Sequence, residues 1–464
     1  MKNILLTIVL LPFFLFSCNK PVITRSESFS NIQTKGIVNQ VRYSIDKSYD
    51  FGDTWSKSFW SRFQTLEERF NALQVPSDIL QDMTAEALAY SMIHYPLNKL
   101  IFAYDNPFVF IKLVLEKSLL HQEILQRSEG LETLVSLYSE TKIVFERNVY
   151  NGIEVSLSDE VFIEYFFSYC FLEKQISEEK RMGLLEVTEN KLDERQNLPE
   201  LYSALSIEPL LILQRVLEES MPLRADYFHD YRTPLNQTVQ VLHRDEMTEA
   251  EITQLNNDAV TMYPSAVFVS SASSRYNCHS YAWISTASTN DKWLNATDSS
   301  GVFQLSKYWT NDLFTSCSSG AEINIFYTNG DHSAKKTSSS GKYISKWGNW
   351  PVMEHTLTDC PYIATSIQYF NVRTSPVDIS SSLLGSNPAP IGQASAYYAN
   401  TLLVDSFNWS VTSGGIPWVS CQLMQSNAQT CFFIPLQAGS FVLHFDGYYN
   451  GNHVCSGSKT ILTL

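Results

Sequence analysis

The hydrophobic period of this chain changes partway along it, and that change constrains the fold more than any other feature. Between residues 51 and 222 apolar side chains recur at helical spacing. Phe59, Phe63, Leu66, Phe70 and Leu73 follow at intervals of four, three, four and three, which places them on one face of a helix. Pro76 ends that run, and Ser77-Asp78 and Thr84 offer the next helix starts. Apolar runs at 108–126, 131–146, 159–173 and 198–217 continue the pattern, punctuated by Asn106-Pro107, Asn151-Gly152 and Pro199. No residues match at a fixed period, so the expectation is an irregular helical bundle, not a repeat array.

From 223 the character shifts. Thr233-Pro234-Leu235-Asn236 reads as a turn, Val239 to Leu242 as a strand, and Thr248 with Glu251 stands at capping-box spacing. Residues 320–348 alternate as strands do: Ile323, Ile325 and Tyr327 share a face, and Asn329-Gly330 is a hairpin turn. Ser338 to Gly341 then turns the chain into Tyr343-Ile344-Ser345-Lys346-Trp347. A helix followed by an antiparallel sheet is the α+β order. Beyond 366, short runs at 394–404, 406–412, 431–435, 440–448 and 459–464 alternate with Gly, Ser, Asn and Pro turns. They predict an all-β sandwich of immunoglobulin-like type, with Trp409 and Trp418 in its core. The expected division is a helical domain at 51–222, an α+β domain at 223–365 and a sandwich at 366–464.

Residues 1–17 read as a secretory signal, with Lys2 followed by an apolar run from Ile4 to Phe16 that is short for a membrane span. Leu15-Phe16-Ser17-Cys18 resembles the bacterial lipobox, which makes Cys18 the expected lipidation site and residues 18–50 a polar tether. The expected location is the cell envelope, on a lipid anchor in the outer membrane. Asn19-Lys20-Pro21 carries no acidic run that would signal surface export, which favours a periplasmic face. The formal charge of −15 becomes −16 once Lys2 leaves with the signal. Such a balance argues against nucleic acid as a partner and favours neutral, cationic or small ones.

Eight cysteines lie in the chain. Outside the cytoplasm thiols tend to pair, and with Cys18 lipidated the remaining seven leave at least one free. Cys170, among aromatic residues, is expected in a core. Cys317 with Cys360, and two of Cys421, Cys431 and Cys455, are the pairs open to the central and last domains. Cys278 is the cysteine with chemistry around it.

Cys278 lies in Arg275-Tyr276-Asn277-Cys278-His279-Ser280-Tyr281-Ala282-Trp283, with His332 54 positions further on in Asp331-His332-Ser333-Ala334. A thiol attacks as thiolate, and its pKa of about 8.5 falls at a helix amino terminus or beside an imidazole. The polar stretch before Cys278 is suited to cap a helix that starts there. His279 is set aside as the base, because successive helical residues point about 100° apart. His332, entering a strand after a tight turn, is the expected base. Ser345, Asn349 and His355 are the groups available to orient it, with His355 preferred over Asn349. A zinc site from Cys278, His279, His332 and His355 is disfavoured by the adjacent Cys-His spacing and the lack of CxxC or HxxxH. No cofactor is expected.

At these residues the chain resembles bacterial domains related to the NlpC/P60 and CHAP cysteine peptidases and amidases. The motifs are Tyr276 to Trp283, Asp331 to Ala334, Ser345-Lys346-Trp347-Gly348, and His355 ahead of Cys360-Pro361-Tyr362, with Glu249 to Ile252 and Asn257 to Pro264 as a lead-in. The resemblance covers about 233–362 and implies a papain-like α+β fold. It also implies a nucleophile at Cys278, a base at His332, His355 as third member, and a peptide or peptidoglycan substrate. The lipobox and its flanks resemble lipoproteins of the Bacteroidota. The competing expectation is a binding lipoprotein whose sandwich recognises a glycan or protein.

Overall fold

The computed structural model describes residues 48–145, 153–173, 177–218, 228–328, 331–401, 404–413, 416–417 and 421–464. The signal at 1–17, the lipidation site Cys18, the turn Asn329-Gly330 and Trp418 lie outside these residues. Among them, no helix is long and apolar enough to cross a membrane.

The first region is helical: α1 (Lys57–Trp60), α2 (Leu66–Ala72), α3 (Ser77–Asp82), α4 (Ala85–Ile93), α5 (Pro107–Lys117), α6 (Leu119–Gln126), α7 (Gly130–Tyr138), α8 (Leu157–Glu173), α9 (Glu178–Gln196) and α10 (Ala204–Leu217). A short parallel pair, β1 (Thr141–Ile143) and β2 (Ile153–Val155), interrupts it. The run from Phe59 to Leu73 is two helices and not one. Thr65 and Glu68 form a reciprocal capping box that starts α2 afresh, a local preference stronger than the continuity of the apolar face. Thr84 caps α4, and Asn106 caps α5 ahead of Pro107.

The central region opens with the hairpin β3 (Phe228–Arg232) and β4 (Thr238–Leu242), then α11 (Glu249–Met262), whose capping box is Thr248 with Glu251. Its sheet contains β5 (Val267–Ser270), β6 (Phe314–Ser316), β7 (Asn324–Tyr327), β8 (His332–Lys336), β9 (Lys342–Lys346), β10 (Val352–Thr356) and β11 (Ile367–Val372). They lie in the order β5-β10-β9-β8-β7-β11-β6, and every pairing is antiparallel. β11 belongs to this sheet although it lies beyond 365, since it pairs with β7 and β6; the central unit therefore extends past the 223–365 segment. The helix α12 (Cys278–Trp283) packs against β8.

Strand alternation sends successive side chains to opposite faces. Ile325, Tyr327, Ala334 and Met353 join a core that continues into the helical region through Phe102, Tyr104 and Phe162. Phe326 and Phe370 face the other way and share a second core with Trp283 and with the last region. The helical region and the sheet are thus fused. Arg69 and Asp359 form a buried ion pair at 2.9 Å, the Tyr362 hydroxyl donates to Ala103 O at 2.6 Å, and Asn349 N–H donates to Phe102 O at 2.8 Å. Gly348 makes this approach feasible: its φ is +52°, and a Cβ there would lie 2.6 Å from Ala103 O.

The last region is β-structure: β12 (Val377–Asp378), β13 (Leu383–Gly385), β14 (Ser395–Ala399), β15 (Ser406–Ser413), β16 (Ile416–Pro417), β17 (Cys421–Met424), β18 (Thr430–Pro435), β19 (Gly439–Tyr449) and β20 (Asn452–Thr463). It forms a five-stranded sheet, β12-β20-β19-β15-β16, and a four-stranded one, β13-β14-β18-β17. Tyr397, Trp409, Phe433, Leu443 and Phe445 fill the core. The disulfides that the sequence left open are not formed. Cys317, Cys360, Cys431 and Cys455 are free thiols, which excludes the Cys317–Cys360 bridge and every pairing of two among Cys421, Cys431 and Cys455. Cys360, Cys431 and Cys455 are buried and act as small apolar core residues.

Candidate functional site

Asn277 starts α12 at the cysteine. Its Oδ1 accepts from Ser280 N–H at 3.0 Å and Leu294 N–H at 3.2 Å, and its Nδ2 donates to Asp105 Oδ2 at 2.5 Å. Asp105 comes from the helical region, directly ahead of Asn106-Pro107. The Cys278 thiol is 1% exposed and donates to the same Asp105 Oδ2 at 3.6 Å. Burial and then the Asp105 carboxylate push the thiol pKa well up, and the backbone N–H of Ser333 pulls it down. Burial raises Asp105 itself to about 6, against the pull of His279.

His279 lies beside the thiol, contrary to the expectation from helical geometry. One ligand-type atom each from Asp105, Cys278 and His279 lies within 4.8 Å of the others. The 100° argument applies inside a helix. Here Cys278 and His279 are its first two residues, and the imidazole is drawn to groups outside it: Ser333 Oγ at 2.9 Å from Nδ1, Asp331 Oδ1 at 3.2 Å and Asp105 Oδ2 at 3.9 Å from Nε2. Burial opposes charge on His279, but its bond to Asp331 and the charges of Asp331 and Asp105 outweigh it and raise the pKa. The two carboxylates therefore favour the protonated form of His279 more than in a free imidazole, and both ring nitrogens are hydrogen-bonded.

His332 faces a different environment. Its Nε2 is 3.1 Å from Ser345 Oγ, and Ser345 Oγ is 2.7 Å from His355 Nε2. Trp347 Nε1 donates to the same oxygen at 3.0 Å. His355 Nδ1 is 2.7 Å from the Thr356 carbonyl, which can only accept, so that nitrogen carries the proton. Burial lowers His355 to about 4, and burial with the nearby His355 and His279 lowers His332 well below its usual value. Both rings are neutral at pH 7. It follows that His355 Nε2 accepts from the Ser345 hydroxyl, and Ser345 Oγ accepts from His332 Nε2–H. His332 Nδ1 is left with a lone pair, buried and without a hydrogen-bond partner.

Of the expected residues, Cys278, His332 and His355 all lie in or against the central sheet. His355 does not touch His332: their ring centroids are 6.4 Å apart, and Ser345 stands between them. The cross-strand register explains this, since Ser345 on β9 lies opposite Met353 and His355 is two residues further along β10. Among the described residues no hydrogen bond joins Cys278 to His332; the thiol's goes to Asp105. They are linked indirectly, through the Ser333 N–H at the thiol and through Tyr362. That ring stacks on His332 at 3.6 Å, and its hydroxyl feels charge on Cys278. Asn349 hydrogen-bonds to neither imidazole; its Oδ1 has no partner. The zinc set of Cys278, His279, His332 and His355 is split, because His332 and His355 bond Ser345 while Cys278 and His279 cluster with Asp105.

Asp105 is the residue sequence reasoning did not place at the site, and Lys346 lies in the Ser345-to-Gly348 motif already singled out. Asp105 lies 173 positions before Cys278, and no local pattern marks it. Lys346 is buried, and its ammonium donates to the carbonyls of Ser273, Gly348 and Trp350 at 2.9, 2.6 and 2.6 Å. Burial lowers its pKa to about 7, and Asp105, Glu246 and Cys278 pull it back up.

A family model described as "Domain of unknown function (DUF7689)" matches residues 267–365, which include Cys278, His332, Ser345 and His355. No curated protein and no solved structure matches the chain.

Proposed function

We propose that this protein is a thiol hydrolase of the cell envelope, anchored through Cys18, with a papain-like central domain and an immunoglobulin-like sandwich as spacer or binding module. The observation that carries the reading is the buried, partnerless lone pair on His332 Nδ1, one residue along β8 from Ser333; the thiol lies on the Ser333 side of that strand, so the reaction requires the His332 ring to reach across to it. A general base needs an unprotonated nitrogen. Both nitrogens of His279 are already bonded, to Ser333 and Asp331, so it has no free one.

In the proposed reaction His332 Nδ1 takes the Cys278 proton as sulfur attacks the carbonyl carbon of an amide. The C–N bond then breaks, the amine leaves with that proton, and a thioester remains. Water attacks the thioester, its proton passing to His332, and the carboxylic acid departs as the thiol is restored. Ser345 fixes the His332 tautomer, and His355 fixes the Ser345 hydroxyl. The bond cleaved belongs to a peptidoglycan stem peptide or a protein.

A second reading, a binding lipoprotein whose sandwich recognises a glycan or protein, draws support from the 1% exposure and raised pKa of the thiol. Incubating wild type and Cys278→Ala with purified muropeptides and then a peptide library separates the two. New amine termini that appear only with wild type, and a thioester adduct trapped by mass spectrometry, are expected. Equal product from both proteins, or none from either, sinks the hydrolase.

A further inference from the structure

A carboxylate, a thiol and an imidazole, three different metal-ligand types, converge at Asp105, Cys278 and His279. Cys278 Sγ lies 3.6 Å and His279 Nε2 lies 3.9 Å from the same Asp105 Oδ2, and one ligand atom from each residue lies within 4.8 Å of the others. Around zinc, with bonds of about 2.0–2.3 Å, tetrahedral ligands stand about 3.3–3.8 Å apart. The two separations lie at or just beyond that spacing, so small side-chain shifts close them on one ion. An adjacent Cys-His pair reaches one point here because the two residues open α12 and the imidazole is drawn to Ser333 and Asp331 outside it.

The groups behind these three residues suit ligation. Ser333 Oγ, 2.9 Å from His279 Nδ1, is placed to take the proton of an imidazole that ligates through Nε2, and Asn277 Nδ2 donates to Asp105 Oδ2. Asp105 Oδ1 has no hydrogen-bond partner although the side chain is only 7% exposed, and a bidentate carboxylate–metal bond uses that oxygen. Lys346, whose charge acts on Asp105 and Cys278, spends its three N–H groups on backbone carbonyls and offers these residues no hydrogen bond. Asp331, 39% exposed and 3.2 Å from His279 Nε2, lines a cavity of about 430 Å³ between the helical region and the central domain, which gives an ion its route from solvent. The fourth place on the ion falls to Asp331 or to water. A donor set of sulfur, nitrogen and oxygen suits zinc, whereas magnesium and calcium favour oxygen alone.

We propose that Asp105, Cys278 and His279 bind one zinc ion, and that the bound ion holds the Cys278 sulfur inactive. Binding forms a sulfur–zinc bond as the S–H bond breaks, and the proton leaves to solvent. The sulfur electron pair needed to attack an amide then lies on the metal. The site rests on its geometry alone; the inhibition rests on the thiol hydrolase reading.

Cobalt(II), a spectroscopic substitute for zinc, tests the site on the full chain at about pH 8, where protons compete weakly for the ligands. One cobalt per chain should bind with a thiolate-to-cobalt charge-transfer band, and zinc should displace it. Cys278→Ser should abolish the band, and His279→Gln and Asp105→Asn should each weaken cobalt binding by at least about tenfold. Cys317→Ser, which removes a half-buried thiol elsewhere on the sheet, should change neither. X-ray absorption at the zinc edge of the loaded wild type, which needs no variant to fold, should show one sulfur at about 2.3 Å with nitrogen or oxygen completing the shell. Absence of the charge-transfer band, a band kept by Cys278→Ser, or a zinc shell with no sulfur or more than one overturns the site. In turnover of muropeptides, saturating zinc should abolish cleavage and a chelator restore it; undiminished cleavage by the zinc-loaded protein overturns the inhibition. Cobalt bound in a protein that forms no product with or without metal sinks the hydrolase, and the inhibition with it, and leaves the site standing; product without a cobalt band does the reverse.

Discussion

The two sides of β8 carry opposite chemistry only one residue apart. On one side Ser333 meets His279 and Trp283, in a cluster with two carboxylates, a thiol and an imidazole next to an open cavity. On the other, His332 joins Ser345 and His355 in a fully buried chain with no carboxylate among its hydrogen-bond partners. The difference shows what sets the state of an imidazole. Both histidines are buried, yet Asp331 and Asp105 raise the pKa of His279 against that burial, whereas His332, facing hydroxyl and aromatic groups, is held neutral.

The two sides also oppose each other in pH. Asp105, raised to about 6 from 3.8, binds more protons in the folded state. Its side therefore loses stability as pH rises from about 4 to 6. His355, lowered to about 4 from 6.5, binds fewer protons when folded, so its side loses stability as pH falls from 6.5 to 4. Near neutrality the imidazole side is satisfied and the thiol side carries the penalty.

The contrast is most exposed to failure in turnover. His332→Ala should lower the rate of amide cleavage by about a thousandfold, the scale of a lost general base, and His279→Gln by about tenfold. The reverse ranking would move the base to the carboxylate side. Next in size, Ser345→Ala strips one shared partner from His332, His355 and Trp347. It should lower unfolding stability by about 4 kcal/mol, read from the urea midpoint, while a loss below about 1 kcal/mol would show that the chain of bonds carries little. Asp105→Asn should stabilise the protein by roughly 3 kcal/mol at pH 8, where the parent holds an ionised buried carboxylate, and give no gain at pH 3.5. A gain that does not depend on pH would remove ionisation as its cause. The smallest effect belongs to Asp331→Asn: with the carboxylate 39% exposed, the thermal midpoint should move by the equivalent of about 0.5 kcal/mol. A shift as large as that at Asp105 would mean the His279 contact is far better shielded than its exposure indicates.

Much of the fold was legible because it rests on local rules. Thr84, Thr248 with Glu251, and the strand periods around Ile325 and Tyr343 specify their elements through near neighbours, and they appear as read. The Phe59–Leu73 helix was misread where the Thr65 capping box broke an apolar stripe that continues in space. Residues 367–372 fell in the last region only through the boundary at 366, with no strand read there; as β11 they pair with β7 and β6, partners that no local pattern names. At the site, the segments holding Cys278, His332 and Ser345 stood out by motif, but the bond between His332 and Ser345 depends on β8 and β9 lying side by side.

The sequence by itself determined that Cys278 opens a helix and that His332 enters a strand, since capping and period are properties of a few adjacent residues. Only the tertiary structure decided what surrounds them. The approach of Asp105 to the thiol, from 173 residues away, is set by the close contact of Gly348 with Ala103 and by the shared core behind it. Protonation at this site follows from burial and neighbouring charge, both sums over distant parts of the chain, and no local pattern contains them.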